Sequence, residues 1–399
     1  LKNPRTWVEI DLGKVQANLN TIKSHLKPGT QILAVVKADA YGHGAIAIAR
    51  TALASGASMV GVGDSTEALE LRDAGIKAPV VILGAICDQE INCVVRHNIT
   101  PTIHSVDRLR DISRAAKKYG KRQWVNIMVD TGMGRVGVRP ESALALVSAV
   151  CKDPNLRLMG ISTHFSCGHF EDLSFSCEQL AKFEGVLQEL KEAGIRPPVI
   201  HAANSAALFS IPEAQFDMVR PGAAMYGVDP GNLKRLGVKV DPILKWKTQI
   251  VYWKWIEEGK PIGYGMAYRA PKRTKIATLP VGYDDGYSFS FSNTAEVLYK
   301  GKRCRVVGNV TMDYIMVDVG EVDEVRVGDE ITLLGHEGSA EISASELARL
   351  MGAPPYVVTS LLGRRVKRIY KDSSGAELQV GVVRQRKVHA GSYDILAIK

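Results

Sequence analysis

The sequence predicts an α/β chain: an N-terminal (β/α)8 barrel followed by a C-terminal, mainly antiparallel β domain. Three observations predict it. Eight short runs rich in β-branched residues fall between about residues 31 and 226, most of them separated by 10–20 residues of helical pattern. The runs are close to continuously apolar, the pattern of parallel strands covered on both faces. Beyond about residue 235 the alternation with helices stops, and short strand-like segments are punctuated by Gly and Asp turns, as in an antiparallel unit.

The eight runs lie at 32–37, 58–62, 80–83, 99–103, 124–129, 158–163, 198–201 and 216–219. Helical spacing of three and four is clearest in Ile46, Ala49 and Leu53, and in Leu180, Phe183, Leu187 and Leu190. Eight βα units match a closed barrel; a doubly wound open sheet is the alternative. The segment 244–257 then alternates as one long stretch, and 275–279, 295–299, 303–307, 315–317 and 330–334 read as further strands. A short helix follows at Ala344–Met351, and a last apolar run, 378–383, comes after D-S-S-G. The expected division is an N-terminal strand, 1–10, joining the C-terminal domain; a barrel, 11–235; a β domain, 236–371; and an extension of unassigned role, 372–399. No internal repeat is evident.

The chain has 399 residues, 46% of them hydrophobic and 23% charged, enough for two cores. No apolar run is long enough to span a bilayer, and the opening L-K-N-P-R is polar. The net charge of +9 is spread along the chain rather than gathered in a stripe. That argues against a nucleic-acid partner and leaves a modest attraction for anionic substrates. Six cysteines lack C-x-x-C spacing, which points to reduced thiols and a cytoplasmic setting.

Several segments carry chemistry. Lys37, in A-V-V-K-A-D-A-Y-G-H-G at 34–44, ends an apolar run. Desolvation there lowers an ammonium's pKa and frees an amine to attack an aldehyde; a lysine snorkelling from a strand end is the alternative. D-T-G-M-G-R-V-G at 130–137 contains G-x-G-x-x-G. As a dinucleotide fingerprint it is weak, since it follows a late strand and no acidic residue stands in the ribose position. His164 directly follows the sixth run with Cys167 and His169 close by, but no fourth metal ligand is marked. H-A-A-N-S at 201–205 and F-D-M-V-R-P-G at 216–222 belong to the last two strand ends, where barrels commonly hold phosphate. There Ser205 offers a hydroxyl, Asn204 an amide and Gly222 a close backbone N–H. Arg220 donates hydrogen bonds without yielding a proton; an ion-pair role is the alternative. Tyr264, in I-G-Y-G at 262–265, taken alone reads more simply as a buried aromatic with its hydroxyl satisfied.

In this order, and through to about residue 370, these segments resemble the motifs of the alanine racemase family. The resemblance implies pyridoxal 5'-phosphate (PLP) as cofactor, with Lys37 holding it covalently and Tyr41, Leu83, Arg135, His164, Asn204, Ser205, Arg220, Gly222 and Tyr356 around it. Tyr41 and Tyr356 match phosphate-contacting tyrosines, and Arg135 matches the arginine at the phenolic oxygen. Arg220 matches the residue facing the pyridine nitrogen, which then stays neutral and favours proton return over decarboxylation or transamination. Tyr264 matches a second catalytic base on the face opposite Lys37. A free tyrosine has a pKa of about 10 and needs help to act near neutrality; the implied Arg220–His164–Tyr264 chain would supply it. Arg135, Met312, Asp313 and Tyr283 match residues around the substrate. In the family the β domain closes the other subunit's site, which implies a homodimer with shared active sites. The implied reaction interconverts L-alanine and D-alanine and supplies D-alanine for peptidoglycan.

The chain departs from the family pattern in places. Met128 stands where many relatives carry a carbamylated lysine, Thr311 where many have Cys, and Ser288-Phe289 where an arginine often follows. The rival readings are a broad-spectrum or serine racemase, a decarboxylase of the same fold type, and a PLP-binding protein without catalysis. Asp313, Arg220 and the β domain with Tyr264 argue against them in turn.

Overall fold

The computed structural model describes residues 4–378. The eight expected runs form eight parallel strands: β2 (Gln31–Val35), β3 (Met59–Val62), β4 (Val80–Ile82), β5 (Thr102–Ile103), β6 (Gln123–Met128), β7 (Leu156–Ser162), β8 (Val199–Asn204) and β9 (Met218–Arg220). The strand β1 (Thr6–Asp11) precedes them. Their order is β4-β3-β2-β9-β8-β7-β6-β5. A parallel bridge between Val81 and Thr100 closes the ring: the Ile82 N–H donates to Thr100 O at 2.9 Å, and the Thr100 N–H to Val80 O at 2.8 Å. This is a (β/α)8 barrel.

Strand alternation sorts the two faces. Ile32, Ala34, Val60, Val62, Val125, Ile127 and Ile161 join the main core between strands and helices. Leu33, Val35, Val81, Met159, Val199 and Met218 form a separate cluster inside the ring. The interior is not apolar throughout: Thr102, Asn126, Ser162 and His201, on β5 to β8, are fully buried. Three of the barrel helices start on side-chain caps. Asp11 accepts from Lys14 N before Leu12–Ser24, Asp64 from Thr66 N and Glu67 N before Ser65–Asp73, and Ser105 from Arg108 N before Val106–Lys118.

The second unit is mainly antiparallel. In its largest sheet β1 pairs antiparallel with β10 (Leu244–Gln249) and parallel with Lys367–Lys371. The expected single stretch 244–257 is two strands. At Ile250 and Val251 the chain changes partners: the Ile250 N–H donates to Asp329 O, and the Val251 N–H to Thr278 O. Tyr252–Ile256 therefore joins Thr274–Leu279 and Ile315–Asp318 in a separate sheet. The helix Ala344–Met351 forms as expected. Glu377–Leu378 pairs with Lys367–Lys371; the rest of the run 378–383 lies outside the described residues. Among the described residues no helix is long and apolar enough to cross a membrane.

Candidate active site

Lys37 is separated from the end of β2 by Val36 alone, and the backbone after it turns the wrong way. Ala38, Asp39, Ala40 and Tyr41 have φ of +53°, +50°, +53° and +56°, a left-handed turn built of L-residues other than glycine. Each such residue costs roughly 1–2 kcal/mol, so the turn needs anchors. The Glu67 carboxylate accepts from Ala38 N at 2.6 Å and Gly63 N at 2.7 Å. Asp39 Oδ1 accepts from Ala45 N at 2.8 Å. Gly42 closes the turn at φ +83°, and a Cβ there would meet Thr359 O at 1.9 Å, so helix Pro355–Ser360 presses on it. Arg368 Nε donates to Gly42 O at 3.3 Å.

Lys37 shares a cavity of about 250 Å³ with Leu83, Met128, Arg135 and His164, among others. Burial first, and then the Arg135 charge, hold its amine below the usual lysine range, while Glu67 opposes them. Arg220, buried on β9, stands behind. Its Nη1 donates to His201 Nδ1 at 3.1 Å; its Nη2 donates to Thr163 O at 2.7 Å, Ala202 O at 3.0 Å and His164 Nδ1 at 3.1 Å. An arginine only donates, so both histidines accept from it. Burial, then Arg220, Arg135 and Lys37, push His164 well below the usual histidine range; burial and Arg220 do the same to His201. Both rings are neutral near pH 7. Burial and Arg135 lower Arg220 itself to about 10, so it keeps its charge.

A second cluster adjoins the first. Ser205 Oγ accepts from Gly222 N at 2.8 Å and Ala224 N at 3.3 Å. A Cβ on Gly222 would lie 2.8 Å from the Tyr41 hydroxyl, so the glycine leaves room for that phenol. The Tyr41 and Tyr356 rings meet edge to face at 6.0 Å. Burial, then Tyr356, push the Tyr41 phenol up to about 12, so it remains a donor. Asn204 ties two loops together: Oδ1 accepts from Ala206 N and Ala207 N in its own loop, and Nδ2 donates to Phe165 O in the segment after β7.

The glycine loop 131–139 is not a nucleotide cradle. It is tied back on itself by Asp130 N–H to Val138 O and Val138 N–H to Met128 O, and the next helix begins only at Pro140. Met128 lines the Lys37 cavity with its Sδ 3.7 Å from Ser162 Oγ. Among the described residues Arg135 makes no ion pair.

The remaining predicted residues lie elsewhere. Tyr264, Tyr283, Met312 and Asp313 are not among the residues lining the Lys37 cavity. Tyr264 is 76% exposed, and Met266, Tyr283 and Met312 are also exposed. Tyr283 and Met312 do belong together: the Tyr283 N–H donates to Thr311 O and the Asp284 N–H to Met312 O. Arg365 clamps this pair of loops, reaching Asp284 at 3.0 Å, Asp285 at 3.1 Å and Asp313 at 2.6 Å.

Sequence reasoning missed Glu67, His201 as the partner of Arg220, Asn126 behind it, and Arg365. Only His201 stood in a quoted motif. Glu67 hides behind Asp64, where a helix start explains an acidic residue without any site.

Comparison with known proteins follows the same lines. The family model "Alanine racemase, N-terminal domain" matches residues 10–230, and "Alanine racemase, C-terminal domain" matches 243–370. An alanine racemase of Desulforamulus reducens is 41% identical over 372 residues, 93% of this chain and 100% of that protein. The structure of alanine racemase from Bacillus anthracis with bound L-Ala-P has a TM-score of 0.88 at 34% identity, covering 94% of this chain and 97% of that one. Alanine racemase from Bartonella henselae with covalently bound pyridoxal phosphate has a TM-score of 0.81 at 29% identity, covering 92% and 99%. Both family models fall on the barrel and β units described above, and the chain belongs to the alanine racemase family of isomerases.

Proposed function

We propose that this chain is a PLP-dependent racemase interconverting L- and D-alanine, with Lys37 and Tyr264 as bases on opposite faces of the substrate. The observation that carries the reading is the cationic cavity in which a half-buried amine, Lys37, meets Arg135 and an Arg220-bound His164. The residues fit the cofactor. A depressed amine suits an aldehyde, and the Tyr41–Ser205–Gly222–Tyr356 cradle suits a phosphate. Among the described residues, Nε of Arg220 has no hydrogen-bond partner, so a donor remains for a ring nitrogen. When bound, PLP supplies the electron sink that makes the α-proton removable.

The side chains do the rest. Lys37 takes the α-proton of D-alanine and Tyr264 that of L-alanine, and the opposite group returns one. Because Arg220 occupies Nδ1 of His164, the proton of that ring sits on Nε2, where it can stabilise a tyrosine phenolate. Tyr264 comes from a second copy of the chain. Its 76% exposure and its absence from its own chain's Lys37 cavity support a homodimer with shared sites. Arg135, Met312, Asp313 and Tyr283 bound the substrate, and Leu83 and Asn204 line or brace the cofactor side. Six unpaired cysteines support a cytoplasmic setting, and peptidoglycan is the proposed destination of the D-alanine.

The test is incubation of the PLP-loaded protein with L-alanine in deuterated water. Loss of optical rotation with α-deuterium uptake is expected. Alanine recovered unchanged and undeuterated overturns the reading.

A further inference from the structure

We propose that Asn126 is a positioning residue for Arg220: it fixes the tautomer of His201, and through it the direction in which the guanidinium faces. Asn126 is fully buried on β6 inside the barrel. Its Oδ1 lies 2.9 Å from Nε2 of His201, and its Nδ2 lies 3.0 Å from Ser162 Oγ and 3.3 Å from Thr102 Oγ1.

The orientation of every group in this layer follows from two main-chain carbonyls. Thr102 Oγ1 donates to Ile82 O at 2.6 Å, and Ser162 Oγ donates to Ile127 O at 3.2 Å, with Met128 Sδ also near it at 3.7 Å. Each hydroxyl has one proton, and it is spent there, so both hydroxyl oxygens act as acceptors toward Asn126. They select the amide flip that points Nδ2 at them and Oδ1 at His201. His201 must then donate through Nε2. Its Nδ1 is left as a lone pair, and that lone pair receives Nη1 of Arg220 at 3.1 Å. The opposite tautomer would set two N–H groups against each other at Arg220 and two acceptors against each other at Asn126.

A polar layer that merely fills the barrel would place no requirement on the tautomer. The distinction has a kinetic form. In Asn126→Asp a carboxylate faces Nε2, which favours a doubly protonated His201. The charged group already set against that ring is Arg220, on β9, and a proton on Nδ1 would push it away. Racemisation by Asn126→Asp is therefore expected to fall on acidification at a higher pH than in the wild type. Asn126→Leu, which leaves Nε2 without an acceptor, is expected to lower kcat about tenfold with KM little changed, the effect of one lost hydrogen bond.

The deciding experiment is nitrogen NMR of the cofactor-free wild-type protein labelled with 15N-histidine, with the His201 signal assigned by its absence from His201→Gln. A proton on Nε2 and none on Nδ1 from about pH 6 to pH 8 is the expected result in the wild type, with the proton shared between the two nitrogens in Asn126→Leu labelled in the same way. An Asn126→Leu spectrum identical to the wild type's overturns the proposal, because Arg220 alone then sets the tautomer. A proton on Nδ1 overturns the proposal, as does an Asn126→Asp enzyme that loses the same fraction of activity at every pH. The kinetic arm rests on the racemase reading, whereas the NMR arm does not. A wild type that fails to racemise alanine would sink that reading and leave the tautomer to be decided by the spectrum.

Discussion

Nη2 of Arg220 lies 3.1 Å from Nδ1 of His164, and this contact decides which face of the imidazole is left to work. With Nδ1 committed to a cation, the ring resists a second proton, and its N–H points away from the arginine. The same guanidinium holds His201 in the same way, so burial and one shared charge together keep two histidines neutral.

This has a consequence for stability. His164 and His201 sit well below the ordinary histidine value of 6.5, and His43, fully buried against Tyr226, at about 4. In the unfolded chain all three take up a proton as the pH falls through 6.5, while the folded protein refuses it. Stability is therefore highest above pH 6.5 and declines below it, by up to about 1.4 kcal/mol per pH unit for each histidine. Thermal unfolding between pH 4 and pH 8 should show this slope, and His201→Gln should show a shallower one. A midpoint that does not change across this range would contradict the neutral assignment.

Glu67 is the one charge acting to raise Lys37. Glu67→Gln removes that charge while keeping the shape, so the amine should lose its proton at lower pH. The rate at which Lys37 captures PLP, followed by absorbance against pH in the cofactor-free protein, should move its midpoint downward. An unchanged midpoint would show that the carboxylate acts only as a clamp on Ala38 and Gly63.

Met128 cannot form a carbamate. Removing dissolved carbon dioxide and bicarbonate should leave the racemisation rate unchanged. Met128→Lys in the same buffer adds an unneutralised cation near Arg135 and should lower the rate, with partial recovery on adding bicarbonate. Dependence of the wild type on bicarbonate would mean that Arg135 is supported by another group that binds it.

If Tyr264 acts across a dimer, two inactive variants should rescue each other. Lys37→Ala mixed with Tyr264→Phe, after unfolding and refolding together, forms mixed dimers in which one of the two sites is whole. Random pairing predicts recovery of about a quarter of wild-type activity. No recovery, with mixed dimers shown to be present, would place both bases on one chain.

Much of the fold could be read in advance because parallel strands buried on both faces leave near-continuous β-branched runs, as at Val80, Val81 and Ile82. The break at Ile250 could not. The apolar run Ile250-Val251-Tyr252-Trp253 interrupts the alternation in 244–257 where the partner strand changes from Glu330–Glu337 to Thr274–Leu279, but hydropathy does not record partners. Lys37, Arg135, His164 and Arg220 were visible because each closes or follows an apolar run with an unexpected polar group. The left-handed turn after Lys37 was not, since Ala-Asp-Ala-Tyr contains no glycine to announce it. Arg365 and Asn126 act through contacts 80 and 75 residues away, beyond the reach of any local pattern.

That turn also assigns the β unit a second duty. Four L-residues wound against their natural hand behave like a coiled spring, and the latch lies on the other half of the molecule, where Thr359 bears on Gly42 and Arg368 grips its carbonyl. Prise the halves apart and the turn would keep only its barrel anchors, Glu67 on Ala38 and Asp39 on Ala45, while Gly42 lost both its cover and the grip on its carbonyl. The ring of strands is a foundation, and the turn that follows Lys37 is fastened from both halves of the molecule.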